Sequence, residues 1–266
     1  MTPSLTEVAR YRRRVGASLE RVWENVLDWE HLPWLHGSSF ASIALEDARS
    51  DGWRARVGLA GEGAERVLTI EIRTEVAANR YVTRTLAGVG EGTEIWTTLD
   101  PRAAHETAIE VRFLVPGVAA ADAEVFGDYY RGIYARLWDE DEQMMRRRQE
   151  MLSRVGAVCD DAGRISLGTE EQVRERLPFD LEVGGQGFRV TDVGGDLVLY
   201  STVCPHSLGP LRESPELGDR VRCPWHGYEF DLRTGRSCDG RRLRLLQGAA
   251  LEVEDGRVYA RPAVSQ

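Results

Sequence analysis

The sequence predicts an α+β protein with two domains: an antiparallel sheet with a long helix, followed by a smaller all-β domain. Residues 40–115 hold about six runs of alternating apolar and polar side chains separated by turn residues. This pattern is typical of strands with one face buried and the other exposed to solvent. Residues 121–152 carry apolar side chains in steps of three and four, which predicts one long helix. From residue 153 the chain changes to short runs between glycine-rich turns, which predicts β structure. We therefore expect one domain over residues 1–152 and a second over 153–266.

Within the first domain the elements are expected in a definite order. Residues 6–15 predict a first strand, and Ser18 is placed to cap a helix that continues through Val22 and Val26. Pro33 should end this helix, because proline disfavours helical geometry in the residue before it. The predicted strands that follow are 40–47, 52–59, 64–74, 80–86, 93–99 and 107–115. The apolar stripe of the long helix is predicted to be Phe126, Tyr130, Ile133, Leu137, Met144 and Met151.

Composition narrows the range of functions. The net charge is −9 over 266 residues, which argues against nucleic acid and against an anionic membrane surface as partners. No apolar run approaches the ~18 residues of a membrane-spanning helix, and the N-terminal residues lack the apolar core of a secretory signal. We expect a cytoplasmic protein, in which Cys159 and Cys238 are reduced thiols whose role the sequence leaves open.

Two short segments carry the strongest chemical signal. Cys204 and His206 form the first pair and Cys223 and His226 the second, and both cysteines are followed by proline. Two cysteines and two histidines suit either a [2Fe–2S] cluster with mixed ligands or a structural zinc ion. Zinc fingers keep cysteines and histidines on separate arms, whereas each arm here holds one of each, which favours the cluster.

The residues around these pairs, CPHSLGPL and CPWHGYEFDLRTGR, closely resemble the Rieske ferredoxin family. The resemblance implies that Cys204, His206, Cys223 and His226 bind a [2Fe–2S] cluster. Respiratory Rieske proteins carry an additional cysteine in each loop, and those cysteines are missing here. Fewer hydrogen bonds to the cluster sulfurs are then expected, and with them a lower reduction potential.

A second group of candidate metal ligands lies in the first domain. His31 and His36 flank Pro33, which interrupts the helix and lets the two imidazoles converge. Two histidines and one carboxylate form the ligand set of non-haem Fe(II) oxygenases, although a histidine pair at a helix end is more often structural. An acidic residue interrupts the apolar stripe of the long helix, and buried carboxylates need a partner or a metal. Periodicity does not choose between Glu140 and Asp141 for this position.

The pattern of these residues, together with the Rieske motif, resembles the Rieske non-haem iron oxygenases, in particular the small monooxygenases and O-demethylases. The resemblance implies a mononuclear iron bound by His31, His36 and Asp141. It also implies that Asp28 bridges a cluster histidine and an iron-ligand histidine, and that Asn25 lies near the iron. The first domain resembles the START-like helix-grip fold, so the domain order is the reverse of the usual order in this family.

The resemblance implies a monooxygenase that uses O2 and electrons from a separate NAD(P)H-dependent reductase or ferredoxin. Its substrate is expected to be small and largely apolar or aromatic, and both hydroxylation and oxidative demethylation stay open. A homo-oligomer such as a trimer is expected, with electron transfer either within one chain or between chains. The alternative is a non-catalytic Rieske electron-transfer or redox-sensing protein fused to a ligand-binding START-like domain. The expected cavity lining is Leu68, Ile70, Ile72, Val111 and Phe113, with Trp53, Trp96, Tyr130 and Tyr134.

Overall fold

The computed structural model describes residues 4–61, 66–154 and 163–263. The chain divides into two compact units, Met1–Gln149 and Glu150–Gln266, where the sequence led us to expect a boundary after residue 152. Among the described residues, no helix is both long enough and apolar enough to cross a membrane.

The first unit is built on one seven-stranded sheet in which every neighbouring pair is antiparallel. The strands are β1 (Leu5–Val15), β2 (Phe40–Arg49), β3 (Gly52–Leu59), β4 (Val67–Glu75), β5 (Arg80–Gly88), β6 (Glu94–Ala103) and β7 (Glu106–Pro116). Their spatial order is β1-β7-β6-β5-β4-β3-β2, so the first strand pairs with the last and the others follow as a meander.

A long helix, α3 (Ala123–Arg154), packs on the inner face of this sheet. The inner face is apolar because side chains alternate along each strand, as β7 shows with Val111 and Phe113 both fully buried. The Phe113 ring lies 5.2 Å from the ring of Tyr130 and 4.8 Å from that of Tyr134, both of which belong to α3. An antiparallel sheet held against one long helix is the helix-grip arrangement, so the predicted fold class of this unit is confirmed.

The buried side of α3 matches the predicted apolar stripe in part, since Met144 is buried and Tyr130 packs against the core. Phe126 was expected in the stripe but is 42% exposed, whereas Trp138 and Met145 are buried in the core. The helix carries apolar residues on two adjacent faces, and the face that holds the large aromatic rings packs against the sheet. Asp141 lies three residues after Trp138, on this buried side.

The N-terminal helix is shorter than the sequence predicted. Helix α1 spans Leu19–Leu27, with the Ser18 side chain accepting a hydrogen bond from the backbone N–H of Arg21, as expected. It ends before Pro33, which instead lies in the first turn of a separate four-residue helix, α2 (Leu32–Leu35). A proline fits there because the first N–H groups of a helix have no partner within the helix.

One residue of the expected cavity lining lies on the other face of the sheet. The Arg80 guanidinium carbon lies 4.7 Å from the centroid of the Trp96 ring, and the Trp96 indole N–H donates a hydrogen bond to the Glu94 carboxylate. The register explains this placement, since Ile95 and Thr97 on either side of it point inward and are buried. His105 is exposed in the turn between β6 and β7.

The second unit is rich in short strands, as predicted, and forms three three-stranded antiparallel sheets of order β11-β10-β9, β12-β13-β14 and β15-β16-β8. The strands are β8 (Ile165–Thr169), β9 (Phe179–Val183), β10 (Gln186–Val193), β11 (Asp196–Ser201), β12 (Glu216–Leu217), β13 (Arg220–Arg222), β14 (Glu229–Asp231), β15 (Ala249–Glu254) and β16 (Arg257–Pro262). A short helix, α4 (Glu170–Glu175), was not predicted, although Thr169 and Gln172 form the capping box that marks its start.

Candidate metal centres

Two loops of the second unit have the same backbone design. The first follows β11, is closed by the bridge between Val203 and Pro210, and begins at Cys204. The second joins β13 to β14 and begins at Cys223. In each loop the residue four positions after the cysteine donates its N–H to the cysteine carbonyl, at 3.1 Å from Leu208 and 2.9 Å from Gly227. These two residues have φ values of 63° and 68°, and this left-handed conformation turns both loops back on themselves.

The four predicted cluster ligands meet between these loops. Cys204 and Cys223 are buried, and the rings of His206 and His226 lie 4.5 Å apart between centroids at 88°. The two cysteine side chains are hydrogen-bonded to each other. This bond raises the pKa of Cys204, which burial raises further, and it lowers the pKa of Cys223 to about 5. Backbone N–H groups of these loops also donate to the two sulfurs.

The surroundings of the two sulfurs fit a cluster held against the backbone. Gly209 packs so closely that a Cβ at this position would lie 3.0 Å from the sulfur of Cys223 and 3.0 Å from the ring of Trp225. Buried sulfurs that accept backbone N–H bonds are the environment in which thiolates bind an iron–sulfur cluster. The residues present therefore fit the [2Fe–2S] group that the sequence predicts.

The first unit contains a second convergent set of ligands. One ligand atom from each of His31, His36 and Asp141 lies within 4.8 Å of the others, and all three residues are buried. Asp141 Oδ1 lies 3.1 Å from His36 Nε2 and 3.5 Å from His31 Nε2. The structure therefore separates the two acidic neighbours that periodicity did not distinguish, since Asp141 faces both imidazoles.

The break between α1 and α2 brings the two histidines together. Asp28 ends α1, while His31 and His36 flank the two ends of α2, with ring centroids 5.0 Å apart. The continuous helix expected up to Pro33 is therefore wrong, because α1 ends at Leu27 and His31 precedes the separate helix α2. The convergence comes from a turn between two helices.

Each histidine has a carboxylate on the side away from Asp141. Glu140 Oε2 lies 2.5 Å from His36 Nδ1, and Asp28 Oδ2 lies 3.8 Å from His31 Nδ1. Metal-binding histidines commonly direct their second nitrogen at such a carboxylate, which fixes the tautomer and ring orientation. The Asn25 amide donates to Asp141 Oδ1 at 2.8 Å and so orients this carboxylate.

Hydrogen bonds and charges among His31, His36, Glu140 and Asp141 shift the pKa values of His36 and Asp141. Burial opposes protonation of His36, but hydrogen bonds and charge from Asp141 and Glu140 outweigh it and raise the pKa of His36. Burial favours the neutral form of Asp141, but His36, the charge of His31 and the Asn25 amide outweigh it and lower the pKa of Asp141. A buried carboxylate that faces two imidazoles is a ready binding site for a divalent cation.

Comparison with known proteins identifies the second unit. The Rieske [2Fe-2S] domain family matches residues 163–247. The ferredoxin component of the p-cumate 2,3-dioxygenase system of Pseudomonas putida is 30% identical over 90 residues, which cover 34% of this chain and 72% of that relative. This chain belongs to the Rieske [2Fe–2S] domain family. Ferredoxin CarAc of Metapseudomonas resinovorans is 31% identical over 77 residues, which cover 29% of this chain and 72% of the ferredoxin.

A likeness of fold is also found outside the Rieske family. A START superfamily protein from Mycobacterium smegmatis is 18% identical, with a TM-score of 0.43 over 51% of this chain and 97% of that chain. The fold class of the first unit rests on its strand order and helix packing and not on this likeness.

The Rieske match confirms the expected cluster-binding domain and begins at residue 163, so His31, His36 and Asp141 lie outside it. Cys238, which was expected to be a reduced thiol, is free and exposed, and Cys159 lies outside the described residues. Sequence reasoning did not single out Tyr81 and Thr97, which are paired on the inner face of the sheet, although strand alternation alone would have placed both there. The charge of Asp141 acts on Tyr81.

Proposed function

We propose that the protein is an O2-dependent non-haem iron monooxygenase in which the Rieske cluster supplies electrons to a mononuclear iron. The observation that carries the proposal is the convergence of two imidazoles and a carboxylate, His31, His36 and Asp141, in the interior of the first unit. The same three ligand types also suit zinc. A Rieske domain on the same chain favours iron, because an electron-transfer centre has no role beside a redox-inert ion.

The net reaction breaks a C–H bond of the substrate and forms a C–O bond with one atom of O2. The second oxygen atom leaves as water, with two protons and with two electrons from a separate NAD(P)H-linked reductase or ferredoxin. When the substrate carbon is an O-methyl group, the hydroxylated product releases formaldehyde, so hydroxylation and demethylation are one chemistry. Ferrous iron, when bound, supplies O2 activation, and the cluster, when bound, supplies electrons.

The described residues of the chain have distinct tasks in this reaction. His31 and His36 would bind the metal through Nε2. Glu140 contacts His36 Nδ1 at 2.5 Å and fixes the orientation of that ring, while the Asp28 carboxylate lies 3.8 Å from His31 Nδ1. Asn25 holds the Asp141 carboxylate by a hydrogen bond of 2.8 Å. The apolar inner face of the sheet excludes water from the reacting carbon, which protects the reaction from side chemistry.

A second candidate function has its own support. Two of the relatives matched by the Rieske unit are ferredoxins. An electron carrier fused to a ligand-binding unit would therefore also explain the Rieske unit. This alternative gives no role to the buried Asp141, and for that reason we place it second.

The test uses His31→Ala beside the wild-type protein. Both are supplied with NADH, a Rieske-oxygenase reductase and a panel of neutral methoxyarenes, and formaldehyde release is measured. We expect product from the wild type, with turnover at least 100-fold lower in the variant and the visible absorption of its cluster unchanged, since a lost ligand removes the iron site. Electron transfer to cytochrome c by both proteins, with no product from either, would support the electron carrier instead.

A further inference from the structure

Hydroxyl groups are concentrated inside the first unit on the side near Asp141. Tyr81 of β5 and Thr97 of β6 are directly opposite each other in the strand register and share the inner face of the sheet. Tyr134 of α3 is buried nearby, and the charge of Asp141 acts on both tyrosines. We call Tyr81, Thr97 and Tyr134 the hydroxyl cluster.

One member of the hydroxyl cluster has hydrogen-bonding capacity left over. Thr97 is fully buried, and in the described part of the chain its Oγ1 interacts with the hydroxyl of Tyr81 but makes no hydrogen bond of standard geometry. Buried hydroxyl groups in native proteins nearly always have a partner, and an exception indicates a bound molecule or a functional site. Burial raises the pKa of Tyr81, the interaction with the Thr97 hydroxyl lowers it, and the charge of Asp141 raises it further, so Tyr81 stays a neutral hydrogen-bond donor.

The walls around this cluster are aromatic. The ring of Trp23 meets that of Tyr81 edge to face with centroids 6.3 Å apart, and Tyr134 meets Phe113 in the same manner at 4.8 Å. Aromatic rings attract one another in edge-to-face and offset-stacked contacts, so an aromatic ligand bound beside these side chains would be stabilised by them.

The charges of the unit disfavour an anionic ligand. Among the described inward-facing positions of the sheet, the register gives only one charged side chain, Arg13, which is paired with Asp139 and Glu142 of α3. Three carboxylates, from Asp28, Glu140 and Asp141, surround the two histidines and outnumber the charge of one divalent cation. A buried anion would therefore have no counter-charge.

We propose that Tyr81 and Thr97 form the polar end of the substrate site and bind an uncharged aromatic molecule through its carbonyl or hydroxyl oxygen. The inference rests on the proposed function in taking the helix-grip interior as the substrate site. It goes further in naming the two specificity-determining residues and in excluding aromatic carboxylates.

The test compares three probes of nearly the same planar shape: acetophenone, α-methylstyrene and benzoate. Their dissociation constants are measured by saturation-transfer NMR on the full chain, for the wild type and for Tyr81→Phe and Thr97→Val. The matched control is Thr107→Val, because Thr107 is an equally buried inner-face threonine whose hydroxyl is already bonded to the Ala17 carbonyl at 3.0 Å.

We expect each of the two test variants to bind acetophenone about 3- to 10-fold more weakly, the effect of one lost neutral hydrogen bond. Their affinity for α-methylstyrene should stay within twofold of the wild type, which also shows that they are folded. Thr107→Val should change neither affinity, and benzoate should bind at least 10-fold more weakly than acetophenone. Equal loss for acetophenone and α-methylstyrene, binding of benzoate as tight as that of acetophenone, or no binding of any probe would overturn the proposal.

Iron content, measured on the same samples, separates this result from the proposed function. Retained discrimination between the probes in a protein without mononuclear iron contradicts the monooxygenase and leaves the inference standing. A full iron site with no discrimination contradicts the inference alone.

Discussion

Glu140 and Asp141 are neighbours in sequence, yet their side chains have different partners. Asp141 points Oδ1 at both histidine Nε2 atoms, whereas Glu140 reaches the opposite side of the His36 ring. Helical periodicity could not separate them, because adjacent helix positions differ by only ~100° and both lie near the buried side. The spacing of the histidines was visible in the sequence, but the choice of carboxylate depends on how α3 is rotated against α1 and α2.

Glu140 should set the metal affinity of the site without binding the metal. Glu140→Gln removes the charge that orients His36, and we expect Co(II) to bind the metal-free protein about 10- to 100-fold more weakly. Titration monitored by the Co(II) absorption spectrum measures this directly.

The control is Asp139→Asn, which neutralises the adjacent carboxylate. Asp139 is exposed and paired with Arg13, away from the histidines. The Asp139→Asn protein should therefore bind Co(II) as tightly as the wild type. Equal affinities in all three proteins would show that Glu140 has no part in the site.

At the scale of the elements, the short helix α2 determines whether the histidines converge. His31 and His36 lie at its two ends, so their relative direction depends on its four residues, Leu32–Leu35. The sequence predicted a break near Pro33, but not that α1 ends at Leu27 and that the proline starts a second helix. Proline is compatible both with the end of one helix and with the first turn of the next, and tertiary packing decides between them.

Inserting one alanine between Trp34 and Leu35 should separate the two imidazoles. An added residue rotates the following helical position by about 100°, which turns His36 away from His31 and Asp141. We expect loss of Co(II) binding with the visible spectrum of the Rieske cluster intact. The matched control, one alanine inserted after Ala104 in the exposed turn between β6 and β7, should keep both. Co(II) binding by the α2 insertion would show that another set of ligands holds the metal.

In the whole molecule, each unit brings one candidate set of ligands together. Cys204, His206, Cys223 and His226 all belong to Glu150–Gln266, whereas the three ligands proposed for a mononuclear metal belong to Met1–Gln149. The meeting of the two cysteines and two histidines was predictable because a local motif fixes their spacing. The hydroxyl cluster was not, because Tyr81, Thr97 and Tyr134 lie far apart in sequence and only the sheet register and the packing of α3 bring them together.

The iron content of anaerobically prepared protein, measured with EPR for the wild type and His36→Ala, decides whether the first unit binds a mononuclear iron. We expect about three irons per chain in the wild type and about two in the variant, with the same Rieske EPR signal in both. The unchanged Rieske signal shows that the variant is folded. Equal iron in the two proteins, all of it in the cluster, would contradict the mononuclear iron site and with it the proposed monooxygenase.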